Sequence, residues 1–273
     1  MKTRIVSGVV MIVILCAFLT AGKLVSPLFI TALVAFIAAV GIYELLHNAA
    51  GIESRSAVVG ACTFSVLYIL LSDKAVNINR FHNVQSKILW AVIVCWFVYA
   101  AVITLVNHKD FGLSQIAALF GFPLPYAAAF GILSATVSHS NGIYYLLLLL
   151  NFSSVCDMGA YFTGSTFGKH KLCPEISPHK TVEGAAGGIF SSIIVTVILG
   201  LCFKKSLAAI ILLTVPFCIL GMVGDLFASA IKRAAGIKDY GNLIPGHGGI
   251  MDRVDSIIMI SPVLYLFITL GVI

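Results

Sequence analysis

Runs of about twenty mainly apolar residues, each followed by a short polar stretch, recur along the whole chain. This pattern restricts the fold more than any other feature, because roughly 20 such residues are what a helix needs to cross the hydrocarbon core of a bilayer. Nine candidate spans meet the measure, near residues 5–21, 24–46, 57–71, 88–106, 115–137, 143–162, 184–203, 207–231 and 255–273. Of the 273 residues, 60% are hydrophobic and only 10% are Asp, Glu, Lys or Arg, whereas soluble domains run closer to a quarter charged. A water-soluble fold of this length has no interior large enough for so much apolar surface. The expected fold class is all-α, a polytopic membrane helix bundle of about nine transmembrane helices.

Two spans carry ambiguities of their own. The first follows Lys2 and Arg4 and has the look of a signal peptide, but with eight further spans behind it an uncleaved first helix is expected. The fifth contains Pro123 and Pro125, so a kink or a turn between shorter pieces is expected there. The seven cysteines form no C-x-x-C pair and mostly sit inside apolar runs. They read as small buried hydrophobes rather than a metal cluster or a disulfide framework. A net charge of +6 in a soluble protein would raise the question of nucleic acid. In this chain it points instead to loops facing anionic lipid headgroups and to a phosphorylated substrate.

Lys and Arg set the orientation. With the N-terminus inside, that end and the even-numbered loops hold 11 of the 17 basic residues, and the odd loops hold 6. The excess places the N-terminus and loops six and eight in the cytoplasm, and with them a site facing that compartment from the cell (inner) membrane.

The remaining charge is concentrated. Of 17 basic and 11 acidic residues, six fall in residues 157–183 and eight in residues 225–255. In the first stretch Asp157 interrupts an apolar run, where a charge needs a partner or a water-filled cavity. Gly159, Gly164 and Gly168 follow, then Lys169, Lys171, Lys180 and Thr181. Glycines beside lysines let backbone N–H groups approach a phosphate while ammonium groups neutralise it. A flexible basic loop meeting anionic lipid explains the same residues equally well, and the Walker pattern is not matched.

The second stretch is more informative. In a helix, Asp225, Ser229 and Lys232 stand at i, i+4 and i+7 on one face. Asp252 and Asp255 repeat the idea at i, i+3, with Arg253 between them, at the opening of the last span. Between these helices lies a loop with glycines at 241, 246, 248 and 249 around His247. Carboxylates gathered at a membrane surface repel one another unless a cation compensates them. Hard oxygen ligands suit Mg²⁺, which takes one or two carboxylates and completes its shell with water and substrate phosphates. Lys232, Arg233, Lys238 and Arg253 suit a polyanionic substrate. Acids holding a metal, surrounded by bases, is what phosphoryl and nucleotidyl transfer require, although a structural ion-pair network draws on the same charges. His247 can bond a phosphate, help protonate a leaving group, or cap a carbonyl. Ser229 as a nucleophile has only Lys232 as a neighbouring base, so binding a phosphate or a metal-bound water is the role expected of it.

The run from Ser229 through Lys232, Arg233, Lys238, Asp239, Pro245, Gly246, His247, Gly248 and Gly249 to Asp252, Arg253 and Asp255 resembles the signature of phosphatidate cytidylyltransferases (CDP-diacylglycerol synthases). Every fixed position of that pattern is met. Upstream, Asp157, Ala160, Tyr161, Phe162, Ser177, Pro178, Lys180, Thr181, Glu183 and Gly184 agree with it, while His179 stands where many relatives carry a second Lys. The resemblance covers roughly residues 151–262; before that, only hydropathy agrees. It implies transfer of CMP from CTP to phosphatidic acid, giving CDP-diacylglycerol and pyrophosphate. It implies a Mg²⁺ on Asp225 and Asp252, with a second, monovalent cation (K⁺) as an optional addition. Ser229, Lys232 and Arg233 would help hold phosphates, with Asp255 and Asp157 as further contributors. Residues 1–140 are then expected to be packing helices, and the place for a homodimer contact. Residues 141–273 are the catalytic region of one integrated bundle in contact with membrane lipids.

Other readings make different demands. A CTP-dependent polyprenol-type kinase also needs cation-lined phosphate binding, but would release CDP. A CDP-alcohol phosphotransferase needs a D-G-x2-A-R run that is missing. A transporter would spread its acids along several helices near mid-bilayer, often with an internal repeat, and neither is apparent.

Overall fold

The computed structural model describes residues 2–72 and 82–273. Lys74 and Arg80, two of the loop charges used for orientation, lie outside them. In chain order the elements are α1 (Lys2–Leu24), α2 (Leu28–Tyr43) running into a π-helical turn (Glu44–Ala49), α3 (Arg55–Ser72), α4 (His82–Val106), α5 (Leu113–Gly121) and α6 (Pro123–Val137). They continue with α7 (Gly142–Leu150), a second π-helical turn (Asn151–Val155), α8 (Cys156–Phe167), a hairpin of β1 (Lys171–Cys173) and β2 (Ser177–Thr181), α9 (Val182–Cys202), α10 (Leu207–Ala234) and α11 (Met251–Thr269). Eight helices among the described residues are long and apolar enough to cross a membrane, so the chain is a polytopic helical membrane protein. The ninth expected span forms α11, but it opens at Met251 rather than near 255. It therefore takes Asp252, Arg253 and Asp255 into its first two turns. The expected irregularity in the fifth span is a break at Phe122, where α6 starts with Pro123 in its first turn, the one place a helix loses no hydrogen bond to proline.

The chain divides into two compact units, Met1–Ser138 with Ala235–Arg253 and His139–Ala234 with Val254–Ile273. In the first, α2 packs on α3 and α6, and α3 also packs on α4 and α6. Thr31 accepts the Ser134 hydroxyl at 3.1 Å between α2 and α6. Phe64 stacks on Trp96 with centroids 5.0 Å apart between α3 and α4. In hydrocarbon, where apolar contact alone does not distinguish a neighbouring helix from lipid, such polar and close-packed contacts specify partners.

In the second unit α8 and α9 lie closest together, along a seam of small residues. A methyl on Gly184 would meet the Ala160 carbonyl at 2.8 Å, so only glycine admits this approach. Asn151, in the π-helical turn, donates to the Ser192 carbonyl at 3.1 Å and to Thr196 Oγ1 at 3.0 Å. Thr196 in turn meets Thr214 at 3.0 Å, tying α9 to α10. All seven cysteines are free thiols. Contrary to the sequence expectation only Cys156 and Cys218 are buried; Cys16, Cys95 and Cys202 face outward from apolar helices.

Candidate active site

In the second unit the charged residues meet at a cavity of about 520 Å³. Its walls are α8 (Asp157, Tyr161, Gly164), the hairpin (Lys171, His179, Lys180, Thr181) and α10 (Met222, Asp225). The stretch that reads in sequence as a basic loop is thus a built element. β1 and β2 pair antiparallel, with Lys171 opposite Thr181 and Cys173 opposite Ser177. Thr181 ends β2 and caps α9, its Oγ1 accepting the Gly184 N–H at 3.1 Å. Glu183 accepts the N–H groups of Lys169 and His170 at 3.1 and 3.2 Å and pairs with His170 Nδ1 at 2.6 Å. The hairpin is therefore clamped at both ends of its base, and Lys180 is held between a strand ladder and a helix cap. Thr181→Ala removes that cap, and the expected loss is about 1 kcal/mol, read as a lower melting temperature of the purified protein in detergent.

Lys180 Nζ lies 2.6 Å from Asp225 Oδ2. One turn further along α10, Ser229 donates to Asp225 Oδ1 at 3.4 Å, and Lys232, on the following turn, is buried. The stripe expected from the spacing is present on the helix. Gly224 lets α11 come close: a methyl there would sit 3.0 Å from the Asp255 carbonyl oxygen. Asp255, whose Oδ1 accepts the Ser256 N–H at 2.7 Å, lies within electrostatic reach of Asp225, Lys232 and Asp157. Three carboxylates and two ammonium groups thus share one neighbourhood. Arg233 is exposed at the end of α10.

Lys238, His247, Asp252 and Arg253 belong to the first unit. There the glycine-rich loop folds on itself, Ile244 N–H donating to the Gly248 carbonyl at 2.9 Å. Gly246 and Gly248 have φ of +79° and +84°, the left-handed region that L side chains resist. Asp252 Oδ2 accepts the N–H groups of Tyr240 at 2.8 Å and Gly249 at 3.0 Å. Arg253 donates to the His247 carbonyl at 2.6 Å. His247 Nδ1 meets Ser7 Oγ at 2.8 Å, and Ser7 also donates to the Pro245 carbonyl at 3.0 Å, so α1 braces the loop. Lys238 is exposed.

Sequence reasoning missed Ser7, and it missed Glu44, whose two carboxylate oxygens accept the N–H groups of Ile250 at 3.1 Å and Met251 at 2.8 Å. The signal for Glu44 was there: an acid inside the apolar second span, the rarity that singled out Asp157.

Among the described residues no three His, Cys, Asp or Glu side chains form a ready-made metal cage. Mg²⁺ does not need one, since it binds through one or two carboxylates and fills its shell with water and phosphate oxygens. The donors on offer fit it: hard carboxylate oxygens, in surplus around Asp225, with no soft thiolate or imidazole among the residues lining the cavity beside it except the exposed His179.

The comparisons with known proteins agree with this chemistry. The family described as the Cytidylyltransferase family matches residues 2–271. A phosphatidate cytidylyltransferase of Staphylococcus saprophyticus is 33% identical over 267 residues, 97% of each chain. One of Bacillus subtilis is 31% identical over 276 residues, 99% of this chain and 98% of its own. One of Staphylococcus haemolyticus is 32% identical over 97% of both. With a family match along nearly its whole length and relatives above 30% identity over the same span, the chain belongs to the cytidylyltransferase family.

Proposed function

We propose that this chain transfers CMP from CTP to phosphatidic acid, forming CDP-diacylglycerol and pyrophosphate. The observation that carries the assignment is the similarity to phosphatidate cytidylyltransferases over 97% of the chain. The cation-lined cavity beside Asp225 supports it with chemistry suited to phosphates.

In this reaction a phosphate oxygen of the lipid attacks the α-phosphorus of CTP. The bond from that phosphorus to the bridging oxygen breaks, and pyrophosphate leaves with the electron pair. The attacking phosphate is already anionic at neutral pH, so no strong general base is required. The difficulty is bringing two polyanions together, and fixed cations answer it. Lys171 and Lys180 line the cavity, and Lys180, paired with Asp225, is a cation that a phosphate oxygen would also bind. Ser229, Lys232 and Arg233 hold phosphates from α10, Lys238 and His247 do so from the loop, and Arg253 does so from the first turn of α11. Asp225 and Asp252 are the proposed ligands of Mg²⁺, which when bound offsets the charge building on the departing pyrophosphate.

The Lys and Arg excess in the N-terminal end and the even-numbered loops, 11 of 17, supports a site open to the cytoplasm, where CTP is made. Outward apolar side chains on α1 and α4, among them Ile12, Val13, Trp90 and Val98, leave room for association of two copies; crosslinking in bilayers that traps only monomer would remove that part of the proposal.

The test is incorporation of label from CTP into chloroform-soluble lipid by the purified protein with Mg²⁺ and phosphatidic acid. Label from the α-phosphate is expected in the lipid, with one pyrophosphate released per lipid formed. Transfer of the γ-phosphate instead, with release of CDP, would identify a lipid kinase, and no incorporation with any phosphatidic acid would overturn the assignment.

A further inference from the structure

Glu44 is a carboxylate in an apolar helix, only 3% exposed, and the chemistry above makes no use of it. It sits where α2 gives way to the π-helical turn Glu44–Ala49, a rare form of helix that is frequent at functional sites. Its oxygens take the N–H groups of Ile250 and Met251 at 3.1 and 2.8 Å. Those are donors at the start of α11, which no carbonyl within that helix can reach, and the positive end of the helix adds to the attraction. From the same π-helical turn, Asn48 donates to the Tyr240 carbonyl at 2.6 Å. Asp252 takes the N–H groups of Tyr240 and Gly249. Consecutive N–H groups of Gly249, Ile250 and Met251 are therefore all bound by carboxylates, one by Asp252 and two by Glu44.

The loop's glycines fit the same arrangement. At Gly241 and at Gly249 an added methyl would run into the Glu44 carboxylate. These two glycines make room for a buried acid rather than for a substrate phosphate.

We propose that Glu44 is a positioning residue for the nucleotidyl transfer. With Asn48 it fixes the backbone from Tyr240 to Met251 and so sets the place of Asp252. It touches neither substrate nor metal. The inference rests on the reading that Asp252 and its loop serve the transfer.

Glu44→Gln keeps the shape but leaves one acceptor oxygen for two donors. The purified variant is expected to keep its melting temperature within a few degrees while amide hydrogen exchange in residues 240–252 rises by at least about tenfold. Its kcat should fall by roughly 10²-fold, as expected of a remote change that misplaces a reacting group, with KM for CTP within about threefold. A double-mutant cycle adds a readout that an unrelated structural role would not move. Gly249→Ala should harm kcat in the wild-type background and do so about tenfold less in Glu44→Ala, where the carboxylate it collides with is gone. Loosened exchange with wild-type kcat, lost kcat with unchanged exchange, or additive effects in the cycle would each overturn the proposal. Should Glu44→Gln fail to fold, Gly249→Ala carries the exchange and kcat tests with the same criteria. If the wild-type protein makes no CDP-lipid, the functional reading fails, while exchange in the loop still reports whether Glu44 holds it.

Discussion

Asp225→Asn is expected to lower turnover by about 10³-fold, the scale lost when one preorganised charge is removed from a site where charge builds in the transition state. The substitution changes shape very little. The amide oxygen can still accept from Ser229, which now donates to Asp225 Oδ1 at 3.4 Å. What disappears is the negative charge that faces Lys180 at 2.6 Å and, on the proposed reading, one of the two carboxylates offered to Mg²⁺. The variant should still insert and purify as the wild type does, because the charge pairs with Lys180 at the wall of a cavity rather than with a residue of a neighbouring helix. Labelled CTP incorporation at saturating phosphatidic acid reads the loss, and Mg²⁺ titration reads its cause. Normal activity in the purified variant would sink the metal assignment. A Lys180→Met control separates the two roles: if freeing Lys180 were the whole effect, the double variant would be no slower than Lys180→Met alone.

Much of this site is legible in the sequence because its rules are local. The 3.6-residue period puts Asp225, Ser229 and Lys232 on one face, and the Ser229–Asp225 hydrogen bond reports that face directly. Proline's missing donor marks the break at Phe122. Asp157 stands out because a charge in an apolar run is costly, and it does line the cavity. Other parts depend on partners far away in the chain. Glu44 is as conspicuous as Asp157, yet its partners lie 206 and 207 residues on, and no spacing rule points across such a distance. Ser7 and His247 are 240 residues apart. The sequence around Lys180 offers a phosphate-binding loop or a flexible basic loop, and neither reading contains the hairpin, because its strands are three and five residues long. Segments that short, rich in Pro, His and Lys, carry no alternation of polarity to betray them. The start of α11, at Met251 rather than near 255, escapes the sequence for a related reason. Charged first-turn residues look like loop in a hydropathy reading, although Asp252 is held there by two N–H groups of the preceding chain.

Asp252 gives the second large effect, and its two substitutions should part company. Its Oδ2 does structural work, accepting N–H groups from the buried Tyr240 at 2.8 Å and from the buried Gly249 at 3.0 Å. Its charge is what the proposed reading assigns to holding a metal. Asn keeps an oxygen able to accept both donors, so Asp252→Asn should fold with near wild-type stability and yet lose turnover by about 10²- to 10³-fold. Ala keeps neither property. It leaves two buried donors without that acceptor, at a cost of about 1–3 kcal/mol for each buried group left unsatisfied. Asp252→Ala should therefore lose turnover to at least the same degree and also melt earlier in detergent. Thermal melts without Mg²⁺ isolate the hydrogen-bond effect, since bound cation would otherwise stabilise the wild type alone. Equal melting temperatures for the Ala and Asn variants would show that the two N–H contacts hold nothing of consequence. Full turnover in the Asn variant would show that the charge at this position is not needed, and the loop-holding role alone would then have to explain why the carboxylate is there.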